Sequence, residues 1–208
     1  MAAMQKYDAV LFDFDGTLAN SLDVLEAVYH EFLQLHGVEG SAEEFARLNG
    51  PALPEVVELL RQAHDLKPSA RDLFSLYTQL LTAKYESVEP FEHAESLLRF
   101  VKERQIQCAL VTSTYRTLLN GFLQLHQWIQ YFDKVVTGDM VEHSKPSPDI
   151  YNRALKDLGV EARRSIAIED SKNGIQAARD AGLVVVAVGE YGVKDLLAVQ
   201  DELTKLIS

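Results

Sequence analysis

Residues 7–21, YDAVLFDFDGTLANS, decide the fold of this 208-residue chain. The run is mostly apolar up to Phe14 and then meets the turn residues Asp15 and Gly16, a pattern typical of a buried strand. Because side chains alternate along a strand, Asp13 and Asp15 are expected on the same side where this strand ends. Two carboxylates at such a short distance repel each other unless a cation or a proton lies between them. The pair therefore indicates a divalent metal, with a plain Asp-Gly turn as the alternative.

Further short apolar runs predict the rest of the sheet. They are rich in β-branched residues and alternate with helical patterns, which is typical of parallel strands joined by helices. We expect an α/β fold whose core is a Rossmann-like, doubly wound parallel sheet. The later strands are predicted at residues 106–112, 134–137, 165–169 and 184–188, and the helices between them at 91–104, 148–158 and 171–181.

The segment at residues 20–88 interrupts this alternation. It shows no strand pattern and carries four helical patterns in succession, for which Ser21, Ser41 and Ser69 are predicted N-cap residues. An all-helical insertion after the first strand predicts a separate lid over the sheet. We expect an α/β core from residues 1–19 and 89–208 and a helical cap domain from residues 20–88.

The composition restricts the class of partner. The chain has 31 acidic and 20 basic side chains, a net charge of −11, which argues against nucleic acid as a partner. No apolar stretch approaches the ~20 residues of a membrane span, and the first residues, MAAMQKYD, lack the apolar core of a signal peptide. With one cysteine and no disulfide, we expect a cytoplasmic protein without a membrane partner. A monomer is plausible, and the sequence leaves the oligomeric state open.

Polar residues also follow the later predicted strands. Thr112 and Ser113 end the second strand, Lys145 lies in an irregular stretch after the third, and Glu169 and Asp170 follow the fourth. Each residue alone has an ordinary explanation, such as a strand end, a solvated charge or a helix cap. Because the carboxyl ends of parallel strands share one edge, together they predict a charge-balanced ligand site.

The ordered set DFDGT, Thr112, Lys145-Pro146 and Glu169-Asp170 resembles the haloacid dehalogenase superfamily of aspartate-nucleophile phosphotransferases. Within this superfamily, the sequences of three stretches are similar to those of the phosphoglycolate-phosphatase-like and β-phosphoglucomutase-like enzymes. The resemblance covers the whole chain, including a helical cap after the first motif. The second carboxylate favours phosphoryl over carbon–halogen chemistry, since the dehalogenases lack an equivalent of Asp15. The three stretches are DFDGTLANS, KPSPDIY and IEDSKNGIQAA.

The resemblance implies a catalytic role for four residues. Asp13 is the expected nucleophile and forms an aspartyl phosphate, and Asp15 is the expected general acid and base. Thr112 is expected to hydrogen-bond a phosphoryl oxygen, and Lys145 to neutralise the phosphate and Asp13 together. The Lys145–Pro146 bond is a candidate cis peptide.

The resemblance also implies a Mg²⁺ cofactor. Its expected ligands are the side chains of Asp13 and Asp170 and the backbone carbonyl of Asp15. Glu169 is a direct ligand in some relatives and orients metal-bound water in others. We therefore expect metal ligation from all four residues, with Glu169 ranked below the three aspartates.

Substrate recognition is expected to involve the cap and the second strand end. Arg47 and Asn49, in the stretch RLNG, resemble a cap loop that faces the active site, where Arg47 could bind a distal anion. A solvated position on its helix is the alternative for Arg47. Ser113 and Arg116 are the remaining predicted substrate contacts. Arg116 replaces an asparagine that is frequent in mutase-like relatives.

These features predict an enzyme, a Mg²⁺-dependent phosphatase acting on a small phosphorylated metabolite. The alternative of the same chemistry is a β-phosphoglucomutase-like hexose phosphomutase. Leu25 argues against it, because those mutases have a histidine twelve residues after the nucleophile that restrains the acid/base. Two alternatives belong to other classes of protein. One is a phospho-receiver module, whose phosphorylated aspartate would lie at the end of the third strand, near Asp139. The other is a catalytically inactive binding protein.

Overall fold

The computed structural model describes residues 7–207, so the first six residues, on which the prediction of no signal peptide mainly rests, lie outside it. Five parallel strands form the central sheet in the order β5-β4-β1-β6-β7, and β2 pairs antiparallel with β3 apart from it. The strands are β1 (Ala9–Phe12), β2 (Ala19–Asn20), β3 (Glu89–Pro90), β4 (Gln107–Thr112), β5 (Lys134–Thr137), β6 (Ser165–Glu169) and β7 (Val184–Ala187).

Helices cover both faces of the sheet. Val10 and Phe12 of β1 belong to a buried cluster with α5, α6 and α9, whereas Ala9 and Leu11 belong to a second cluster with α7 and α8. This alternation along one strand confirms the predicted doubly wound α/β core. The helices are α1 (Leu22–Gln34), α2 (Ala42–Leu48), α3 (Leu53–Ala63), α4 (Ala70–Tyr85), α5 (Ala94–Glu103), α6 (Arg116–Leu125), α7 (Asp149–Leu158), α8 (Lys172–Asp180) and α9 (Leu196–Ile207).

The inserted helices α1–α4 lie between β2 and β3 and have an apolar core of their own. Tyr29 and Phe32 of α1 pack there with Leu60 of α3 and Tyr77 of α4. The β2–β3 pair joins the outgoing and returning chains at the base of the insert. An all-helical insert after β1 agrees with the predicted fold class, and residues 20–88 remain our proposed extent of the cap domain.

The capping predictions hold for two of the three serines. The hydroxyls of Ser41 and Ser69 accept hydrogen bonds from the backbone N–H groups of Glu44 and Asp72. Ser21 occupies the N-cap position of α1, but its side chain makes no capping hydrogen bond. Its hydroxyl has a different partner, described below.

No helix within residues 7–207 is long and apolar enough to cross a membrane. Cys108 is fully buried in β4, and burial raises the pKa of its thiol.

Candidate active site

Three neighbouring strands bring the predicted carboxylates together. Strand β1 lies between β4 and β6, with Phe12 in register with Leu110 on one side and Ile168 on the other. Asp13 directly follows β1, and its backbone N–H donates to the carbonyl of Ile168 at 3.0 Å. This hydrogen bond holds Asp13 at the carboxyl edge of the sheet, beside the end of β6, where parallel sheets bind ligands.

Lys145 is the charged centre of the site. Its Nζ donates at 2.6 Å to Asp13 Oδ1, at 2.6 Å to Glu169 Oε1 and at 3.2 Å to the carbonyl of Val111. The side chain is 2% exposed, so these three bonds replace its hydration. The Lys145–Pro146 peptide bond is cis, as the sequence suggested.

The pKa shifts reflect an excess of carboxyl groups. Burial opposes the charged form of Lys145, but Asp13 and Glu169 outweigh it, and the pKa of Lys145 is raised. Burial, followed by the charge of Glu169, raises the pKa of Asp13 well above its usual value. The same two causes raise the pKa of Asp170 to about 7. A further cation at this position would relieve the repulsion.

The carboxyl oxygens of Asp13, Glu169 and Asp170 lie within 4.8 Å of one another, as the ligands of a metal ion would. Gly16 allows Asp170 to approach the turn after β1, because a Cβ at Gly16 would overlap the Asp170 carboxylate. The φ of Gly16 is +80°, in the left-handed region that favours glycine. Thr17 Oγ1 donates to Asp170 Oδ1 at 3.2 Å and orients the carboxylate.

Glu169 already has several partners within the protein. Its Oε1 accepts from Lys145 and from the hydroxyl of Tyr151, both at 2.6 Å, and its Oε2 accepts from Ser171 at 3.3 Å. The side chain is fully buried, and Gly174 leaves room for it, since a Cβ there would overlap its carboxylate. These contacts suit a counter-ion for Lys145. Ligation of metal by Glu169 stays a prediction.

Four hydroxyl groups hold the carboxylate of Asp15. Ser21 and Tyr85 donate to its Oδ1 at 2.7 and 2.6 Å, and Thr114 donates to its Oδ2 at 2.6 Å. Thr112 lies at 3.4 Å from the same Oδ2. The carboxylate is thus absent from the cluster of possible metal ligands, which leaves its backbone carbonyl as the predicted ligand atom.

The sequence predicts no site role for Tyr85, Thr114 or the hydroxyl of Ser21. Ser21 has the sequence context of a helix cap. Tyr85 is the last residue of α4, whose apolar pattern is enough to account for it as a residue of the hydrophobic core. Tyr85 is buried in the site, and burial and then the charge of Asp15 raise its pKa well above its usual value. Ser21 and Tyr85 belong to the outgoing and returning ends of the helical insert, so both ends contact the same carboxylate.

A pocket lies between this sheet edge and the helical insert. Asp13, Asp15, Thr112 and Lys145 line it from the core, and Asn49 lines it from the loop after α2. The structure therefore brings the four predicted catalytic residues to one cavity, together with one predicted cap residue. Their chemical roles stay predictions.

Two hydrogen bonds dock the insert on the core beside this pocket. Ser113 Oγ donates to the carbonyl of Gly50 at 2.5 Å, and the amide of Asn173 donates to the carbonyl of Asn49 at 2.8 Å. The predicted contact of Ser113 with substrate stays a prediction, since its hydroxyl donates to the insert here.

Neither predicted arginine lines the pocket. The Arg47 side chain is 72% exposed and lies 3.6 Å from the carboxylate of Glu43 on the same helix. The guanidinium of Arg116 donates to the carbonyl of Val135 at 2.5 Å, because the start of α6 lies against β5. The structure thus gives no support to the predicted substrate contacts of these two residues, and it favours the solvated alternative for Arg47.

Buried carboxylates, a lysine and hydroxyls that meet at the carboxyl edge of a parallel sheet form an arrangement suited to phosphoryl transfer. The chain belongs to the haloacid dehalogenase-like hydrolase family, whose model matches residues 10–188. The predicted family is thereby confirmed. The structure does not support the alternative of a receiver module. Asp139 accepts a hydrogen bond from the backbone N–H of Arg116, the first residue of α6.

Known proteins resemble the chain over most of its length. It is 29% identical to the phosphorylated carbohydrates phosphatase of Thermotoga maritima, covering 89% of this chain and 85% of that protein. A crystal structure of CbbY from Rhodobacter sphaeroides in complex with phosphate has a TM-score of 0.78 at 28% identity, covering 91% of this chain and 89% of that one. The chain is 28% identical to the bifunctional riboflavin kinase/FMN phosphatase of Arabidopsis thaliana, covering 86% of this chain and 48% of that longer protein. The predicted enzyme class, a phosphatase of this family, is confirmed.

Proposed function

We propose that the protein is a Mg²⁺-dependent phosphatase that hydrolyses a small phosphomonoester through an aspartyl phosphate on Asp13. The observation that carries the proposal is the buried ammonium of Lys145, 2.6 Å from Asp13 in a pocket that Asp15 also lines. A nucleophile, a second carboxylate and a fixed cation are groups that can together carry phosphoryl transfer through a covalent intermediate. The relatives named for phosphatase activity support the same chemistry.

Asp13 starts the reaction as the nucleophile. Its carboxylate oxygen attacks phosphorus in line with the ester oxygen, and the bond from phosphorus to that oxygen breaks as the aspartyl phosphate forms. Lys145 balances the charge that the phosphoryl oxygens bring beside Asp13, and Thr112 donates a hydrogen bond to one of them. Asp15 gives its proton to the departing alkoxide.

Hydrolysis of the intermediate uses Asp15 in the opposite direction. Water attacks phosphorus, Asp15 accepts its proton, and the bond between phosphorus and Asp13 breaks. Inorganic phosphate leaves, and the Asp13 carboxylate and the protonated Asp15 are restored. One carboxyl group thus serves both half-reactions, which requires that its position be fixed.

The donor set fits Mg²⁺. Asp13 and Asp170 offer carboxylate oxygens, which are hard ligands suited to this ion. Of the three clustered carboxyl groups, Lys145 pairs with only two, those of Asp13 and Glu169. Bound through these two residues and the backbone carbonyl of Asp15, Mg²⁺ would supply positive charge that neutralises the phosphoryl oxygens.

Tyr85→Phe is expected to lower kcat about 10- to 100-fold, because it removes a hydrogen bond to the carboxylate of Asp15, which serves in both half-reactions. The phenyl ring keeps the apolar contacts of the tyrosine, so the thermal midpoint of unfolding should change little. Tyr131→Phe is the matched control, since that hydroxyl donates to Glu95 at 2.7 Å away from the site. Steady-state phosphate release measures both variants, and a Tyr85→Phe rate within about twofold of wild type would show that this bond does not position Asp15.

Hydrolysis rather than transfer to a sugar is expected, because Leu25 lines the pocket where mutase-like relatives have a restraining histidine. A leucine side chain cannot hydrogen-bond Asp15 or its surroundings, so Asp15 remains able to activate water. The test supplies β-glucose 1-phosphate with a hexose bisphosphate primer and measures glucose 6-phosphate and free phosphate together. Free phosphate should form faster, and faster formation of glucose 6-phosphate would assign the protein as a mutase.

A further inference from the structure

Apart from the residues around the phosphoryl group, most of the side chains that line the pocket are apolar. These apolar side chains come from the insert and from the start of α6, and they are half-buried. They include Leu22, Leu25, Phe45, Leu48, Leu53 and Leu118. In a phosphatase this part of the cavity receives the alcohol portion of the ester.

Charged side chains line the pocket only at its phosphoryl end. Within residues 7–207 they are Asp13, Asp15 and Lys145, and Lys145 already has two carboxylate partners. Arg47 and Arg116 lie outside the lining, with the contacts described above. A second phosphate or a carboxylate on the substrate would therefore be buried without a cation, which is strongly unfavourable.

The serine and threonine hydroxyls of the lining already have partners in the protein. The hydroxyls of Thr112 and Thr114 face Asp15, and that of Ser113 donates to the carbonyl of Gly50. The other polar side chains of the lining are the amide of Asn49 and the phenol hydroxyls of Tyr77 and Tyr115. A leaving group with many hydroxyls, such as a sugar, would lose more hydrogen bonds to water than these side chains return.

We propose that the alcohol released by this enzyme is apolar and uncharged, so that the substrate is the phosphomonoester of an aliphatic or aromatic alcohol with no second anionic group. This inference rests on the proposed phosphatase function. The inference disagrees with the predicted contact between Arg47 and a distal anion, because leucine and phenylalanine side chains line the pocket and Arg47 does not. Binding then derives its energy from burial of the alcohol portion and from the charges around its single phosphate.

The test compares kcat/KM for benzyl phosphate, glucose 6-phosphate and 2-phosphoglycolate with Mg²⁺ present. All three are esters of alkyl hydroxyl groups, so the comparison reports mainly on recognition of the rest of the molecule. We expect benzyl phosphate to exceed 2-phosphoglycolate at least about 100-fold and glucose 6-phosphate at least about 10-fold. Equal or faster hydrolysis of either polar ester would overturn the inference and leave the phosphatase function standing. Release of phosphate from none of the esters would overturn both.

A substitution in the lining tests the cause of the preference. Leu48→Lys places a cation among the apolar side chains and is expected to raise kcat/KM for 2-phosphoglycolate at least about 10-fold while lowering that for benzyl phosphate. Leu59→Lys is the matched control, because Leu59 is an exposed leucine of the insert outside the pocket lining. If Leu48→Lys and the control behaved alike in a folded protein, the apolar lining would not determine the preference. Circular dichroism establishes folding, and the comparison of the three esters decides the proposal by itself if the variant does not fold.

Discussion

Asp13→Asn is expected to lower kcat by more than about 10³-fold, because an amide cannot form the acyl phosphate on which both half-reactions depend. The substitution is nearly isosteric and leaves an oxygen that can accept from Lys145. It also removes one of three clustered carboxyl groups and leaves Lys145 paired with Glu169, so the folded state should not lose stability. Loss of turnover without loss of fold is the expected signature, read from phosphate release and from the thermal midpoint of unfolding.

Asp8→Asn is the matched control for this variant. Asp8 precedes the same strand at its opposite end, where its carboxylate pairs with Arg164 at 2.6 Å. Its removal should leave kcat unchanged. Retention of more than a trace of activity by Asp13→Asn would show that another residue is the nucleophile.

Removal of divalent metal is the second change with a large expected effect. A chelator should abolish turnover, and added Mg²⁺ should restore it, since the phosphoryl charge would otherwise face Asp13 and Asp170 unneutralised. Asp170→Ala should raise the Mg²⁺ concentration needed for half-maximal activity, whereas Asp180→Ala, at the last residue of α8, should not. Full activity of the wild-type protein in metal-free buffer would contradict the metal assignment.

The pH dependence of metal binding follows from the raised pKa of Asp170. Because that pKa is about 7, the carboxyl group is protonated below this pH, and the proton must leave before the metal binds. The affinity for Mg²⁺ is therefore expected to rise between pH 6 and pH 8, with protons released on binding. Calorimetric titrations with Mg²⁺ across this range measure both quantities, and an affinity that does not change with pH would refute the proposed competition.

The sequence predicts the sheet and most of the site because both arise from local patterns. Apolar runs place Asp13, Thr112 and Glu169 at strand ends, and parallel pairing then brings the ends of β1, β4 and β6 to one edge. The short strands β2 and β3 have two residues each, too few to show a period, and their pairing depends on how the insert leaves and rejoins the core.

The parts that the sequence does not predict depend on contacts between distant segments. Tyr85 approaches Asp15 across 70 positions of the chain, and in the sequence it is indistinguishable from a core tyrosine. Ser21 has the local signature of a helix cap, but the nearby carboxylate of Asp15 takes its hydroxyl. For Arg116 the competing partner is a backbone carbonyl of β5, which only the folded chain places within reach.

The most direct measurement is the identification of the phosphorylated residue during turnover. Enzyme and a radiolabelled phosphomonoester are mixed with Mg²⁺, quenched in acid within the first turnover, digested and mapped by mass spectrometry. The expected result is a hydroxylamine-sensitive phosphoryl group on Asp13. Turnover without a labelled enzyme, or a label on any residue other than Asp13, would contradict the proposed mechanism.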